Sequence, residues 1–460
     1  MNKPATKADR HGLSAEQARD LADKILGFAR ADNTRVNIGS GRRSFARCAD
    51  NRITTAGGSN DVSISITSVF GKRVASVGTN ILDDESLLEA VQRSEGLARL
   101  APENPEYLGE LGPQEYASVE GYYESTGDLD PAGLADAMSR SITGAGNAGF
   151  VASGYIDVRA GSRAVATNKG LFAYDASTGV ASTLTVRTPD GSSSGWAGDE
   201  SADWQLIETD RIVEDAVRKC EAWQGYSALE PGPWTVILEP TAAGMLLQRV
   251  TGALDARSAD EGRSFFSKPE GGSRVGEKVF DESITIVSDP THHAGESEPF
   301  TGDGSPRRRE VWIENGVVKN LSYSRFWADK QNTAPRPDPA NLIVSVGGSG
   351  NGSTLDDMIG STERGVLITR FWYVRGLNPR TIAYTGLTRD GTFLIEDGRI
   401  ARPVNNFRFN QSLAEMLVNV EQLGTPVQVA AGENSSAGTP VVAPAMKVGG
   451  FNLASVSDAI

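Results

Sequence analysis

Residues 234–267 read WTVILEPTAAGMLLQRVTGALDARSADEGRSFFS, and this stretch decides how the rest of the chain is interpreted. Its first part, Thr235 to Leu238, is a short apolar run that predicts a buried strand. The strand continues through Glu239 and Pro240 into a helical pattern, in which apolar residues recur at spacings of three and four. These residues are Ala243, Leu246, Leu247, Val250 and Leu254. The stretch therefore predicts a strand that leads directly into a buried helix.

The predicted helix resembles the motif region of the TldD/PmbA family, whose peptidase members carry roughly G-x-L-L-H-E-x-x-G-H on a zinc-binding helix. Four residues stand in register with that pattern: Gly244, Leu246, Leu247 and Gly252. Where the family has its first His, its Glu base and its second His, this chain has Gln248, Arg249 and Ala253. The resemblance continues in SDPT (residues 288–291), ENGVVKNL (314–321) and GTFLIEDGRIARPV (391–404).

The three substituted positions determine what the resemblance implies about catalysis. A catalytic zinc needs three neutral or anionic protein ligands and one open position for water. Gln is a poor zinc ligand, Arg is a cation, and Ala offers no donor. The family's peptidases also supply a Cys near the C-terminus, whereas this chain has no Cys after Cys220. The resemblance therefore implies the non-catalytic PmbA or TldE branch, with no catalytic residue and no metal in this chain.

The same resemblance implies a partner. A TldE-type chain is expected to form a dimer with a TldD-type metallopeptidase subunit that carries the zinc, and the complex is expected to degrade or trim unfolded or precursor peptides. An extended peptide that pairs with an exposed strand gains main-chain hydrogen bonds with little dependence on sequence. Two alternatives stay open: a stand-alone enzyme with a non-zinc mechanism that acts on a peptide precursor, and a peptide-binding protein.

Three charged residues on or after the predicted helix are candidate contacts to a substrate or partner: Arg249, Asp260 and Glu261. The planar guanidinium of Arg249 suits a carboxylate or a backbone carbonyl. A structural role is the alternative, with Arg249 in a salt bridge to Asp255 or Glu261 and the acidic residues closing the motif helix. The sequence does not decide between these interpretations.

The order of predicted elements indicates an α+β fold. In residues 1–225, helix, strands and helix occur twice, at about 1–100 and 122–225, and a Pro- and Glu-rich linker at 101–123 joins the two units. Residues 226–460 predict a β-rich C-terminal domain that carries the motif helix. Asn315-Gly316 and Asp397-Gly398 predict hairpin turns there, and Ser412 to Leu423 predicts a final helix. In the first unit, Gly57-Gly58 is interpreted as a turn.

Composition excludes several classes of function. The formal net charge of −14 disfavours a nucleic-acid or anionic-membrane surface, since either needs a basic patch. No apolar run approaches the length of a membrane span. Cys48 and Cys220 lie far apart in predicted regular elements, which favours a reducing compartment and predicts a cytoplasmic protein.

Two further sequence features carry little chemistry. His292 and His293 are adjacent in a predicted loop, where neighbouring side chains point in different directions and do not by themselves form a chelate. The glycine-rich run Gly347 to Gly352 lacks the Lys of a phosphate-binding loop.

Overall fold

The computed structural model describes residues 11–346, 352–433 and 439–458. Its N-terminal half contains helices α1 (Ala15–Phe28), α2 (Asp84–Leu100), α3 (Glu124–Gly127), α4 (Pro131–Asn147) and α5 (Thr209–Ala222). The strands there are β1 (Asn33–Ala49), β2 (Arg52–Phe70), β3 (Arg73–Thr79), β4 (Val151–Thr167), β5 (Phe172–Arg187) and β6 (Ser194–Ser201). The expected order of helix, strands and helix therefore occurs twice.

The two repeated units share one antiparallel sheet, in the order β3-β2-β1-β4-β5-β6. Residues Arg35 to Cys48 of β1 pair with Gly154 to Thr167 of β4 across the boundary between the units. Alternate residues of the strands point to one face, where α1 and α2 cover the first unit and α4 and α5 cover the second. The opposite face is left for the C-terminal half of the chain.

The turn expected at Gly57-Gly58 is wrong, because both residues lie inside β2 and pair with β1. The chain reverses at Asp50 and Asn51, which have φ values of 51° and 58°. Asp and Asn tolerate this left-handed conformation better than most residues. Gly57 instead leaves room for the ring of Phe45, whose nearest atom would be 3.2 Å from a Cβ at that position.

The C-terminal half contains helices α6 (Pro240–Thr251), α7 (Ala256–Asp260), α8 (Arg325–Lys330), α9 (Leu355–Gly360) and α10 (Leu413–Val418). Its first strands are β7 (Gly232–Leu238), β8 (Ile284–Ser288), β9 (Glu310–Glu314), β10 (Val317–Val318), β11 (Leu342–Val346), β12 (Arg364–Asn378) and β13 (Ala383–Glu396). The others are β14 (Arg399–Pro403), β15 (Asn406–Ser412), β16 (Val420–Leu423), β17 (Val427–Gln428), β18 (Val441–Ala443) and β19 (Met446–Ser457).

These strands form two sheets that enclose the motif helix α6. One sheet has the order β12-β7-β19-β15-β13-β14, with β16 beside β19, and the other has the order β10-β9-β8-β11-β18-β17. Apolar side chains from both sheets and from α6 form one core. Both hairpins are confirmed, at Asn315-Gly316 and at Asp397-Gly398.

The helix expected from Ser412 to Leu423 is wrong in its second half. Helix α10 ends at Val418, and β16 follows it and pairs with β19. Val420 and Leu423 are spaced three apart, which suits a helical face, but they instead pair with Val448 and Met446.

In the described part of the chain, no helix has both the length and the apolar character needed to cross a bilayer. Of the glycine-rich run Gly347 to Gly352, all but Gly352 lies outside the described residues.

Candidate functional site

Most residues of the motif helix α6 are buried. Pro240 occupies its first turn, where the missing N–H of Pro costs nothing. Leu246 and Leu247 are fully buried, as expected. A Cβ on Gly244 would come within 2.8 Å of Val429 and 3.1 Å of Val441. Glycine at this position therefore lets the helix closely approach β18 and the residue that follows β17.

Arg249, at the position of the family's base, forms an ion pair with Glu433. Its Nη2 lies 3.8 Å from Glu433 Oε1, with side-chain exposures of 33% and 14%. Glu433 also accepts hydrogen bonds from the backbone N–H of Val374 (2.7 Å) and from Nη1 of Arg375 (3.0 Å to Oε2). The buried Nε of Arg249 has no hydrogen-bond partner among the described residues. The carboxylate of Glu433 thus lies beside the motif helix, but it is already bound by the guanidinium groups of Arg249 and Arg375 and by the backbone N–H of Val374.

The acidic residues proposed as partners of Arg249 bind elsewhere. Asp255 caps α7 by accepting the backbone N–H of Ser258 at 2.7 Å. Glu261 accepts from Arg257 and from Arg263, and these two hydrogen bonds lower the pKa of its carboxyl group. The salt bridge expected between Arg249 and Asp255 or Glu261 is therefore replaced by the pair with Glu433.

Asp260 also has a structural partner, since it accepts a hydrogen bond from Nε1 of Trp327 at 2.7 Å. Trp327 packs against the main C-terminal core. The interpretation of this acidic segment as a polar connection that closes the motif helix agrees with these bonds.

Ala253 and Gln248 lie in different surroundings. Ala253 lines a cavity of about 440 Å³ together with Gly252, Asn378 and Arg380. The residues that line this cavity include neither Gln248 nor Arg249. Gln248 is half-buried, and its backbone carbonyl accepts from the hydroxyl of Thr251 at 2.8 Å. The structure therefore does not bring the three substituted motif positions into one described cavity.

The first turn of α6 carries an ion pair that sequence reasoning missed. Nζ of Lys219, on α5, donates to Oε2 of Glu239 at 2.6 Å, and the two side chains are 10% and 15% exposed. Glu239 precedes Pro240, at the end of the helix where backbone N–H groups favour a negative charge. No sequence pattern predicts this pair, because Lys219 lies on α5, which packs on the N-terminal sheet, and Glu239 lies in the C-terminal half.

The donor set at the motif helix does not fit zinc. Gln248, Arg249 and Ala253 offer no imidazole, thiolate or carboxylate, and the guanidinium of Arg249 would oppose a divalent ion. His292 and His293 stack with their ring centroids 4.8 Å apart, and burial together with His293 lowers the pKa of His292. Among the residues that the structure describes, no three His, Cys, Asp or Glu side chains are grouped to hold a metal ion.

Two family patterns match this chain. Residues 231–455 match the family described as "PmbA/TldA metallopeptidase C-terminal domain", and residues 36–98 match "PmbA/TldA metallopeptidase domain 1". A protein named "Metalloprotease" from Methanothermobacter thermautotrophicus is 26% identical over 311 residues, which cover 62% of this chain and 65% of that relative. A "Metalloprotease TldD homolog" from Buchnera aphidicola is 24% identical over 238 residues, covering 48% of this chain and 47% of that protein. The matches thus span between about half and two thirds of these relatives' lengths.

Solved structures share the fold over almost the whole chain. TldE from Thermococcus kodakarensis superimposes with a TM-score of 0.81 at 20% identity, covering 95% of this chain and 99% of that one. A putative modulator of a DNA gyrase from Thermotoga maritima gives a TM-score of 0.80 at 18% identity, with the same coverage. The α+β fold expected from the sequence is confirmed.

Proposed function

This chain belongs to the PmbA/TldD metallopeptidase family, and on that premise we propose that it is a non-catalytic subunit of a TldD/TldE-type zinc metallopeptidase complex. In this proposal a TldD-type partner holds the zinc, and the pair degrades or trims unfolded or precursor peptides. The two buried free cysteines suit the reducing environment of the cytoplasm.

The ion pair between Arg249 and Glu433 is the observation that carries the proposal. A hydrolytic site needs a neutral or anionic base beside its metal, and Arg249 supplies a permanent cation at that position. The nearby carboxylate of Glu433 is held by two guanidinium groups and a backbone amide. This arrangement supports a helix that has a structural role, and the peptidase chemistry is assigned to the partner.

Pairing and metal content test the proposal directly. The chain would be purified under metal-free conditions, alone and with a TldD-type homologue that carries an intact H-E-x-x-x-H motif. We expect light scattering to report a stable dimer, consistent with an interface above roughly 1,000 Å². We expect zinc only in the partner, and cleavage of an unfolded peptide only when the partner is present, with loss of cleavage on adding a chelator.

A Gln248→His/Arg249→Glu double variant is the matched control. It restores two motif residues but leaves Ala253, so only one of the two motif histidines returns and we expect no stoichiometric zinc. Zinc near one ion per wild-type chain, or chelator-sensitive cleavage by the chain without a partner, would contradict the non-catalytic assignment. A chain that stays monomeric and ignores the partner at micromolar concentration would contradict the pairing.

A further inference from the structure

A trough of about 940 Å³ lies between the uncovered face of the N-terminal sheet and the C-terminal half of the chain. Part of its floor carries no side chains, because Gly41 and Gly161 face each other across β1 and β4. A Cβ on Gly161 would lie 2.4 Å from the backbone oxygen of Ser40, so the close approach of the two strands requires glycine here. The floor is therefore open next to Ser177, which pairs with Gly161 on β5.

Asp175 lines this trough with a carboxyl group that has no partner. The residue is only 9% exposed. Within the described ranges, its carboxyl group makes no hydrogen bond and no ion pair. A buried carboxyl group without a partner is costly, and burial together with the charge of Glu298 raises the pKa of Asp175 to about 7. A cationic hydrogen-bond donor in the trough would remove this cost.

The charges around Asp175 favour one monovalent cation. The Asp175 corner consists of Asp175 and Arg163 on the floor, with Glu296, Glu298 and Arg307 from the C-terminal half. Glu298 binds Arg163 and lies 3.7 Å from Arg307. Three carboxylates therefore face two guanidinium groups, which leaves an excess of one negative charge. A divalent metal ion would leave excess positive charge beside two guanidinium groups, so an ammonium group fits the corner better.

The other charged groups of the trough do not change this balance. Arg43 and Arg159 both bind Asp157, at 2.6 Å and 3.0 Å, and Glu200 is a second carboxylate at that end. Arg42 donates to two backbone carbonyls on the opposite face of β1. The negative charge that lacks a partner therefore lies in the Asp175 corner.

Ser177 offers an uncharged contact beside Asp175. The two residues are two positions apart on β5, so their side chains lie on the same face, about 7 Å from each other. Ser177 is exposed in the trough, and its hydroxyl group makes no hydrogen bond to a described residue. Two hydrogen bonds of about 2.8 Å, together with about 3 Å between the nitrogen and the oxygen of a 1,2-amino alcohol, cover this separation.

We propose that the Asp175 corner binds a small 1,2-amino alcohol, whose ammonium group lies against Asp175 and whose hydroxyl group lies against Ser177. The ammonium group cancels the excess negative charge, and the bare floor at Gly161 leaves space for the carbon atoms. This site is built from residues of this chain alone and does not depend on a metallopeptidase partner.

Three ligands of equal size separate the contribution of the charge from that of the hydroxyl group. Ethanolamine has both groups, propylamine has a methyl group in place of the hydroxyl, and ethylene glycol has a hydroxyl in place of the ammonium. Ligand-observed NMR titration of the full chain at pH 8 and constant ionic strength compares them where Asp175 is mostly ionised. We expect one ethanolamine per chain with a Kd of about 1 to 10 mM, which suits four heavy atoms. Propylamine should bind about fivefold more weakly, and ethylene glycol at least about tenfold more weakly.

Two variants assign the contacts. Asp175→Asn should weaken ethanolamine at least about tenfold, because the charged contact is lost. Ser177→Ala should weaken ethanolamine about fivefold and leave the affinity for propylamine unchanged. Asp23→Asn, on the exposed face of α1, is the matched control and should bind like wild type. Circular dichroism would verify that each variant is folded.

Several outcomes would overturn the site. These are no saturable binding of ethanolamine up to about 50 mM, equal affinities for ethanolamine and ethylene glycol, or an ethanolamine affinity unaffected by Asp175→Asn. A Ser177→Ala variant that weakens propylamine as much as ethanolamine would also contradict it. Tetra-alanine that binds more tightly than ethanolamine would assign the corner to peptides instead. Displacement of ethanolamine by magnesium chloride at equal ionic strength would assign it to a divalent metal ion.

Discussion

At the scale of single residues, the ionisation of Asp175 should make the stability of the protein depend on pH. Its pKa rises from 3.8 to about 7 on folding, because of burial and the neighbouring Glu298, while Arg163 opposes the shift. Between about pH 4 and 7 the unfolded chain loses this proton and the folded chain keeps it, so the wild type loses stability as the pH rises through this window. Asp175→Asn removes that titration and leaves Glu298, Arg163 and Arg307 in place. We expect the variant's melting temperature to exceed the wild type's by an increasing margin from pH 4.5 to pH 7.5.

Thermal denaturation followed by circular dichroism at several pH values measures this margin. Asp23→Asn on the exposed face of α1 should show a margin near zero throughout. A margin for Asp175→Asn that does not change with pH would mean that the carboxyl titrates normally in the folded protein.

The ion pair between Arg249 and Glu433 could not be predicted from the sequence, although the substitution at Arg249 could. The substitution of Arg for the family's base could be identified from the sequence, but the acid that compensates it lies 184 positions further along the chain. Asp255 and Glu261 are closer in sequence, yet they are used by a helix cap and by Arg257 and Arg263. Glu433 reaches Arg249 because the segment after β17 brings it beside Val374 of β12.

At the scale of elements, the packing of the motif helix predicts how much stability is lost when each of three adjacent side chains is truncated. Leu246 and Leu247 are fully buried between two sheets, so Leu246→Ala and Leu247→Ala should each cost about 2 to 5 kcal/mol of stability. Gln248 is half-buried, and its truncation should cost about 0.5 kcal/mol or less. Urea or thermal unfolding of the three variants measures the difference. Similar shifts for all three would show that the helix packs through a different face.

Elements with a strong local sequence pattern could be predicted from the sequence. Elements whose extent depends on pairing with another strand could not. The motif helix, its preceding strand and the turns at Asn315-Gly316 and Asp397-Gly398 follow from periodicity and turn chemistry. Gly57-Gly58 lies in a strand because β1 continues to pair beside it. The helix expected up to Leu423 ends early because β19 offers main-chain partners to β16. In both cases pairing with another strand overrides the local pattern.

At the scale of the whole molecule, buried polar contacts join the two halves of the chain. Arg370 donates to Asp390 at 3.1 Å, and Ser194 of β6 donates to the same carboxylate at 2.8 Å. The guanidinium of Arg370 also lies 4.3 Å from the ring centroid of Trp196. No sequence pattern predicts these contacts, since each is formed by residues far apart in the chain.

The ion pair between Lys219 and Glu239 gives a specific test of how the two halves are held together, because removing one partner should cost more stability than removing the other. Glu239→Leu leaves the ammonium of Lys219 buried without a carboxylate, and breaking a buried pair in this way costs about 3 to 5 kcal/mol. Lys219→Met leaves Glu239 at the N-terminus of α6, where the helix dipole stabilises a negative charge, so its cost should be smaller. The Lys219→Met/Glu239→Leu double variant should regain most of the loss, since no unpaired charge remains.

Arg218→Met is the matched control on the same helix, because its pair with Asp215 is exposed and should contribute less than about 1 kcal/mol. Thermal unfolding of the four variants would be followed through both halves of the chain. If the pair holds the halves together, Glu239→Leu should lower the melting temperature most and separate the unfolding of the N-terminal sheet from that of the C-terminal sheets. A Glu239→Leu variant that melts like Arg218→Met, in a single transition, would show that the apolar contacts alone hold α5 against the motif helix.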